Sequence, residues 1–202
     1  MPVSEFQIYR LLKCAPQEVC SLYRSGSRVY GCQNENSDED FVAVVSKPGA
    51  VQDLIFEKGL NIIVQTRESF HESLKDHNML SLECYFSPQR FHVKDSTIKW
   101  NLKLDVRLLR NQAIEKSRSD LMKAQKNWME EPEASKKKLY HSIRVLRFAL
   151  QIMTHRKIIN YGESNELWED LQTRGDTLES PRDLLELQYD LQERLLDLNR
   201  VS

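Results

Sequence analysis

Residues 26–45 read GSRVYGCQNENSDEDFVAVV, and this stretch carries the strongest indication of the fold. A Gly-Ser pair precedes a turn, a polar loop follows, and Asp38 and Asp40 then lead into an apolar run. Because successive side chains of a β-strand alternate between its two faces, we expect both aspartates to point the same way at the start of a strand. Two carboxylates beside a turn of small residues suit a divalent cation and a phosphate.

The composition is that of a soluble globular protein, with 29% charged and 40% hydrophobic residues. A formal net charge of -1 gives no general attraction to nucleic acid or to an acidic membrane, so such a contact would need a local basic patch. The sequence has neither a run of eighteen apolar residues nor a signal-peptide pattern, which predicts a cytoplasmic protein without a membrane partner. Four cysteines without CxxC spacing predict reduced thiols rather than a zinc site or a disulfide scaffold.

The first half of the chain mixes strand and helix patterns. Helices are predicted over 4–13, 28–31 and 67–77, and strands over 18–24, 39–45, 51–57, 60–66 and 79–86. The strand at 39–45 is apolar on both faces, which is typical of a central, covered strand. Lys58-Gly59 is the predicted hairpin turn between the third and fourth strands.

From about residue 100 the pattern becomes helical throughout. Helices are predicted over 101–130, 135–157, 164–172 and 181–199, the last with Ser180 as N-cap and Pro181 at its first position. The sequence therefore predicts an α/β chain of the α+β type. A small mixed-sheet domain over residues 1–95 precedes an all-helical domain over residues 96–202.

A third carboxylate is expected near the aspartate pair. Two-metal sites bridge the attacking and leaving oxygens of a transferred phosphoryl group, and they usually need more than two carboxylates. We expect the third on the inward face of a neighbouring strand, and Glu83 within MLSLECYF is the best candidate. A buried carboxylate without a partner is costly, so Glu83 is expected to be paired or bound to metal. The alternative is a glutamate on the solvent face of an edge strand.

Small and basic residues are the candidates for binding phosphate. A turn at Gly26-Ser27 lets backbone N–H groups approach a phosphate, and the serine hydroxyl adds a donor, with Arg28 close by. Lys137, His141 and Arg144 fall at i, i+4 and i+7 on one helix stripe, beside an apolar stripe expected to face the core. That apolar stripe consists of Ile143, Leu146, Leu150 and Met153, while Lys136 and Lys138 are predicted to lie on a solvated basic face.

The motif GSRVYG followed by NSDED resembles the signature of the DNA polymerase beta-like nucleotidyltransferase superfamily. It is closest to a predicted-nucleotidyltransferase branch with GSRxYG and SDxD. LECYFSP at 82–88 resembles that branch's third-carboxylate strand, and KKKLYHSIRVLRFALQI at 136–152 resembles a helix that follows its catalytic domain. The resemblance covers about residues 18–172.

The resemblance implies transfer of a nucleoside monophosphate from a nucleoside triphosphate to an acceptor hydroxyl of RNA, protein or a small molecule. Asp38, Asp40 and Glu83 would be the catalytic metal ligands for Mg²⁺, with Mn²⁺ as the alternative, and Glu83 would help to deprotonate the acceptor. Gly26 and Ser27 would hold the phosphates, and the helical domain would complete the nucleotide cleft. Glu39 departs from the apolar residue of many members and is expected to point away from the metals, at the exposed start of its strand.

Two other functions remain open at this point. The first is a protein AMP-transferase with the same site, and the second is a non-catalytic nucleotide- or RNA-binding module that keeps the fold.

The last predicted helix carries a narrow leucine seam made of Leu184, Leu187, Leu191, Leu195 and Leu198. We expect this seam to dock on its own domain, with a homodimer contact as the alternative.

Overall fold

The structure is a computed structural model that describes residues 3–46, 54–57, 59–173 and 182–197, of which 182–184 are described by their backbone alone. The chain divides into two compact units, Met1–Lys103 and Leu104–Ser202. The predicted boundary lies nearby, after residue 95. The predicted fold class, a mixed sheet followed by an all-helical half, is confirmed.

The first unit contains a five-stranded mixed sheet in the order β3-β4-β2-β1-β5. Its strands are β1 Val19–Ser25, β2 Glu39–Val45, β3 Leu54–Glu57, β4 Leu60–Thr66 and β5 His92–Lys94. Strand β2 pairs with β1 in antiparallel and with β4 in parallel orientation, and its residues from Phe41 to Val45 are buried. The prediction of a central, covered strand is therefore confirmed.

Strands β3 and β4 form the predicted hairpin. They pair in antiparallel orientation with Glu57 opposite Leu60, and Gly59 has a φ of 76°. Lys58 and the first part of the predicted third strand, residues 51–53, lie outside the described residues.

Helices cover both faces of the sheet. The helices of the first unit are α1 Glu5–Leu12, α2 Ser27–Tyr30, α3 Arg67–Lys75 and α4 Met79–Phe86, with short 3-10 helices at Pro16–Glu18 and Gln89–Phe91. Ile8 of α1 joins Phe41 and Ile62 in the core on one face. On the other face Phe70 of α3 stacks on Tyr23 with ring centroids 6.1 Å apart.

The strand predicted over residues 79–86 is wrong, because MLSLECYF forms helix α4. The Asn78 side chain caps this helix by accepting hydrogen bonds from the backbone N–H groups of Leu80 and Ser81, at 3.1 and 3.3 Å. A short apolar run gives no periodicity that separates a strand from a buried helix, and Asn at the N-cap position is the signal that favours the helix. The last strand of the sheet is instead β5, which the sequence pattern does not predict.

The second unit is helical, with α5 Val106–Asn127, α6 Pro132–His155, α7 Asn165–Thr173 and α8 Arg182–Asp197. Helix α6 contacts the other three. On its predicted apolar stripe Ile143 and Leu146 are buried, while Leu150 and Met153 are half-buried.

Helix α8 docks within its own unit, against α5 and α6. Leu191 and Leu195 of the predicted seam are buried, and the side chain of Gln188 donates a 2.7 Å hydrogen bond to the hydroxyl of Ser117 on α5. Docking of the seam on its own domain is thus confirmed for these two leucines. The side chain of Leu184, the whole of Leu198, and the predicted cap at Ser180-Pro181 lie outside the described residues.

None of the helices in the described part of the chain combines the length and the apolar character that a membrane crossing requires.

Candidate functional site

Asp38 and Asp40 converge on one amide group. The Nδ2 atom of Asn61 donates hydrogen bonds to Oδ2 of Asp38 at 3.2 Å and to Oδ1 of Asp40 at 2.8 Å. Both aspartates therefore point to the same side of β2, as the alternation of strand side chains predicts. Asp40 is in phase with Val42 and Val44, on the face of the sheet opposite to the α1 core.

The sheet register brings Asn61 to this place. In the parallel pairing of β2 with β4, Asp40 stands opposite Asn61. Asn61 alternates with the buried Leu60 and Ile62 and so presents its side chain on the same face as the aspartates. Sequence reasoning missed this residue, although a lone amide at the start of the apolar segment LNIIV is a detectable signal.

Gly26 packs directly against Asp40. It follows β1, whose last residue Ser25 stands opposite Asp40, and it has a φ of 71°. A Cβ atom on Gly26 would lie 2.0 Å from Oδ2 of Asp40, so a larger residue would displace the carboxylate. Ser27 begins α2 and is buried. The structure thus brings the predicted small turn and the second aspartate into contact.

Arg28 and Glu39 form a separate ion-pair cluster. Oε1 of Glu39 lies 3.2 Å from Nε of Arg28, and Oε2 lies 2.9 Å from Nη1 of Arg24. Arg28 also donates a 3.0 Å hydrogen bond to the carbonyl of Ser37. Glu39 points away from the aspartates, as expected for the next residue along a strand, but its side chain is only 15% exposed, so the expected exposed position is wrong. The two arginines neutralise this additional acid, and the phosphate-binding role of Arg28 stays a prediction.

Glu83 lies on helix α4 rather than on a strand and is 6% exposed. Its Oε2 accepts a 2.5 Å hydrogen bond from the hydroxyl of Tyr30, the last residue of α2. Across the described residues, no three His, Cys, Asp or Glu side chains are placed to hold one metal ion. The structure therefore does not group Glu83 with Asp38 and Asp40, and it connects Glu83 to the helix that follows the Gly-Ser turn.

Cys84 follows Glu83 and is also buried. Burial raises the pKa of the Cys84 thiol well above its usual value, and the nearby charge of Glu83 raises it further. This thiol is therefore protonated at neutral pH and is a packing residue rather than a nucleophile.

The described carboxylates fit one Mg²⁺ better than two. Mg²⁺ keeps several waters and is commonly held by one or two carboxylates together with substrate phosphates. Asp38 and Asp40 are two such carboxylates on one side of β2, and Asp40 lies directly against the turn at Gly26. A site with two ions would need a further carboxylate, which the described residues do not place there.

His141 and Arg144 are in contact on α6. Nε of Arg144 donates to Nδ1 of His141 at 3.3 Å, and the Arg144 guanidinium lies 4.9 Å from the centre of the Phe148 ring. Lys137 is exposed. Burial first, and then the charges of Arg144 and neighbouring lysines, lower the pKa of His141 well below its usual value, so its imidazole is neutral at pH 7. The phosphate-binding role of Lys137, His141 and Arg144 stays a prediction.

Lys138 is exposed, as expected for a solvated basic face, but the same expectation for Lys136 is wrong. The Lys136 side chain is 2% exposed, and its ammonium group lies 3.0 Å from Oε1 of Glu133, one turn earlier on α6. A buried ammonium group needs such a partner, which the sequence supplies at i−3.

No protein-family model and no curated protein matches the chain. One similar solved structure is a spectinomycin adenyltransferase from Enterococcus faecialis with ATP and spectinomycin, at 15% identity over 93% of this chain and 96% of that one, with a TM-score of 0.49. Another is a nucleotidyltransferase-like protein from Exiguobacterium sibiricum, at 9% identity over 95% and 73% of the two chains, with a TM-score of 0.33.

Proposed function

We propose that the chain is a metal-dependent nucleotidyltransferase that moves a nucleoside monophosphate from a nucleoside triphosphate to an acceptor hydroxyl. The observation that carries the proposal is the convergence of Asp38 and Asp40 on Asn61 beside Gly26. Such an arrangement places two oxygen ligands for a hard cation next to a turn without side-chain bulk.

In the proposed reaction the acceptor oxygen attacks the α-phosphorus of the nucleotide. A new P–O bond forms, the bond to the bridging oxygen breaks, and pyrophosphate leaves with the electron pair. The hydroxyl proton passes to a carboxylate oxygen of Asp38 or Asp40. When bound, Mg²⁺ would neutralise part of the phosphate charge.

The remaining roles belong to groups around the aspartates. Because Gly26 has no side chain, the Asp40 carboxylate lies directly against the turn. The Ser27 hydroxyl and the backbone N–H groups of the turn would orient a phosphate there. Tyr30 and Glu83 hold α2 in place behind the turn. In this proposal Glu83 acts through α2 and is neither a metal ligand nor the catalytic base.

The direct test is incubation with α-labelled nucleoside triphosphates and Mg²⁺, comparing wild type with Asp38→Asn and Asp40→Asn. Each variant is expected to lose transfer by about 100-fold or more, the loss typical of removing one group that stabilises transition-state charge. Asn101→Asp, at an exposed position outside the site, is the control and retains transfer. Equal transfer by wild type and both aspartate variants contradicts the proposal.

The acceptor is proposed only as a hydroxyl of RNA, protein or a small molecule. Mass spectrometry after incubation with mixed nucleoside triphosphates and total cellular RNA or protein distinguishes these classes. A protein product carrying AMP identifies a protein AMP-transferase, whereas an extended RNA end identifies a polynucleotide acceptor.

A non-catalytic nucleotide- or RNA-binding module is the second candidate. It is favoured by one observation, since the described residues place two carboxylates rather than three at the site. Binding of nucleoside triphosphate and Mg²⁺ without turnover across a broad acceptor panel supports this function. Turnover that depends on Asp38 and Asp40 excludes it.

A further inference from the structure

Asn61 occupies the position from which a neighbouring strand would supply a third carboxylate. It lies on β4, the parallel neighbour of β2, directly opposite Asp40. The residue at this position is an amide and not an acid. Its Nδ2 atom lies 3.2 Å from Oδ2 of Asp38 and 2.8 Å from Oδ1 of Asp40. The amide therefore bridges two carboxylates that would otherwise repel each other at close range.

The orientation of this amide follows from its partners. Ionised carboxylates only accept hydrogen bonds, so the side chain of Asn61 must present its two N–H bonds to Asp38 and Asp40. Asn61 thus contacts both acids through its amide nitrogen and orients them by these two hydrogen bonds.

The bridge also selects which oxygen of Asp40 faces the turn. Oδ1 of Asp40 accepts the bond from Asn61, while Oδ2 lies against Gly26, 2.0 Å from the point where a Cβ would stand. This leaves Oδ2 on the side where the proposed phosphate lies. Partners in this outer position commonly change metal affinity by 10- to 100-fold when they are replaced.

We propose that Asn61 is a positioning residue that holds Asp38 and Asp40 as a two-carboxylate site for a single divalent cation. An aspartate at the same position would complete a three-carboxylate site for a second cation. The inference rests on the proposed function, because it concerns the ion that the same aspartates would bind.

The test measures bound Mn²⁺ by electron paramagnetic resonance in the presence of a non-hydrolysable nucleoside triphosphate analogue. Wild type is expected to hold one Mn²⁺ per chain and Asn61→Asp two. Asn61→Leu keeps the one-ion count and weakens the affinity by about tenfold. Asn101→Asp, which adds the same charge at an exposed position, leaves both count and affinity unchanged.

A thermal melt of each variant with and without Mn²⁺ provides a second readout. Without metal, Asn61→Asp is expected to melt at a lower temperature than wild type, because three carboxylates repel one another. On addition of Mn²⁺ its melting temperature should rise more than that of wild type. A merely structural role for Asn61 would lower the melting temperature without this larger rise.

The outcomes separate this inference from the proposed function. The inference is overturned if wild type binds two Mn²⁺ per chain or if Asn61→Asp binds the same number as wild type. The proposed metal site survives either result as long as Asp38→Asn and Asp40→Asn still abolish Mn²⁺ binding. If the two aspartate variants bind Mn²⁺ as wild type does, the proposed metal site fails and the inference fails with it.

Discussion

The Tyr30 hydroxyl donates a 2.5 Å hydrogen bond to the buried Glu83 carboxylate, and the two residues stand 53 positions apart. The bond joins the end of α2 to α4. Because α2 begins at Ser27, this bond fixes the short helix that carries the second residue of the Gly-Ser turn. A buried carboxylate needs such a donor. Glu83, which the sequence suggests as a metal ligand, therefore serves to hold α2 against α4.

Tyr30→Phe is expected to lower the free energy of unfolding by about 1.5–3 kcal/mol, because a buried carboxylate loses a hydrogen bond. Urea denaturation measures this change, and Tyr85→Phe on α4, at a half-buried position, is the matched control. Glu83→Gln keeps an acceptor for Tyr30 and is expected to leave Mn²⁺ affinity unchanged. A tenfold or greater loss of Mn²⁺ affinity in Glu83→Gln would instead make Glu83 a metal ligand.

Gly26→Ala is expected to destabilise the protein and to weaken Mn²⁺ binding by about tenfold, since the added methyl group meets the Asp40 carboxylate. Gly59→Ala is the control. Gly59 has a similar φ, 76° against 71° for Gly26, but nothing lies within 4 Å of its Cβ position. Gly59→Ala should therefore lower the free energy of unfolding only by the backbone cost of about 1–2 kcal/mol and leave the Mn²⁺ affinity unchanged.

The two alanine variants are compared by urea denaturation and by Mn²⁺ titration. Equal Mn²⁺ affinity in Gly26→Ala and Gly59→Ala would mean that contact with Gly26 does not position Asp40.

His141 is expected to make stability depend on pH. Its pKa is lowered by burial and then by Arg144, Lys137 and Lys138 on α6 and Lys116 on α5. On acidification the unfolded chain takes up a proton near pH 6.5 while the folded protein does not, so stability falls as the pH drops below about 7. The slope contributed by one such group is at most about 1.4 kcal/mol per pH unit, and the loss ends below the folded pKa.

Denaturant unfolding of wild type and His141→Asn at pH 7.5 and 5.5 measures this contribution. The variant should lose less stability than wild type over this range, while His155→Asn at an exposed position should follow wild type. Parallel pH profiles for wild type and His141→Asn would show that His141 binds the same number of protons in the folded and unfolded states, which contradicts a lowered pKa in the folded protein.

Leu195→Ala is expected to destabilise the second unit by about 2–5 kcal/mol, because Leu195 is fully buried in the docked seam of α8. Leu196→Ala is the adjacent control, since Leu196 is 38% exposed, and its effect should be well below 1 kcal/mol. Gel filtration of both variants addresses the homodimer alternative. A loss of dimer in Leu196→Ala with unchanged stability would favour an intermolecular contact.

Much of the fold could be predicted because the sequence of strand β2 is compatible with few structures. An apolar run on both faces, preceded by Asp38 and Asp40, indicates a covered strand with acids at its start, and the alternation of strand side chains then places both acids on one face. Helix MLSLECYF could not be predicted by the same means, because it is apolar over nearly its whole surface and too short for its period to show.

The partner of the aspartates could not be predicted because it depends on pairing between strands. Local sequence does not determine that β4 runs parallel to β2 with Asn61 opposite Asp40. The contact of Gly26 with Asp40 depends likewise on the antiparallel register of β1. Sequence patterns describe which face a residue occupies, while the identity of its neighbour comes from tertiary structure.

The parallel pairing that brings Asn61 to Asp40 has a consequence for folding. The two residues are 21 positions apart, and a slip of one residue between the strands would turn Asn61 toward the opposite face of the sheet. Pairing across such a separation requires closure of a loop, so the amide bridge forms only after that closure. Cation binding would then report on correct assembly of the sheet, and a trapped misaligned chain would be recognisable during refolding by its failure to capture Mn²⁺.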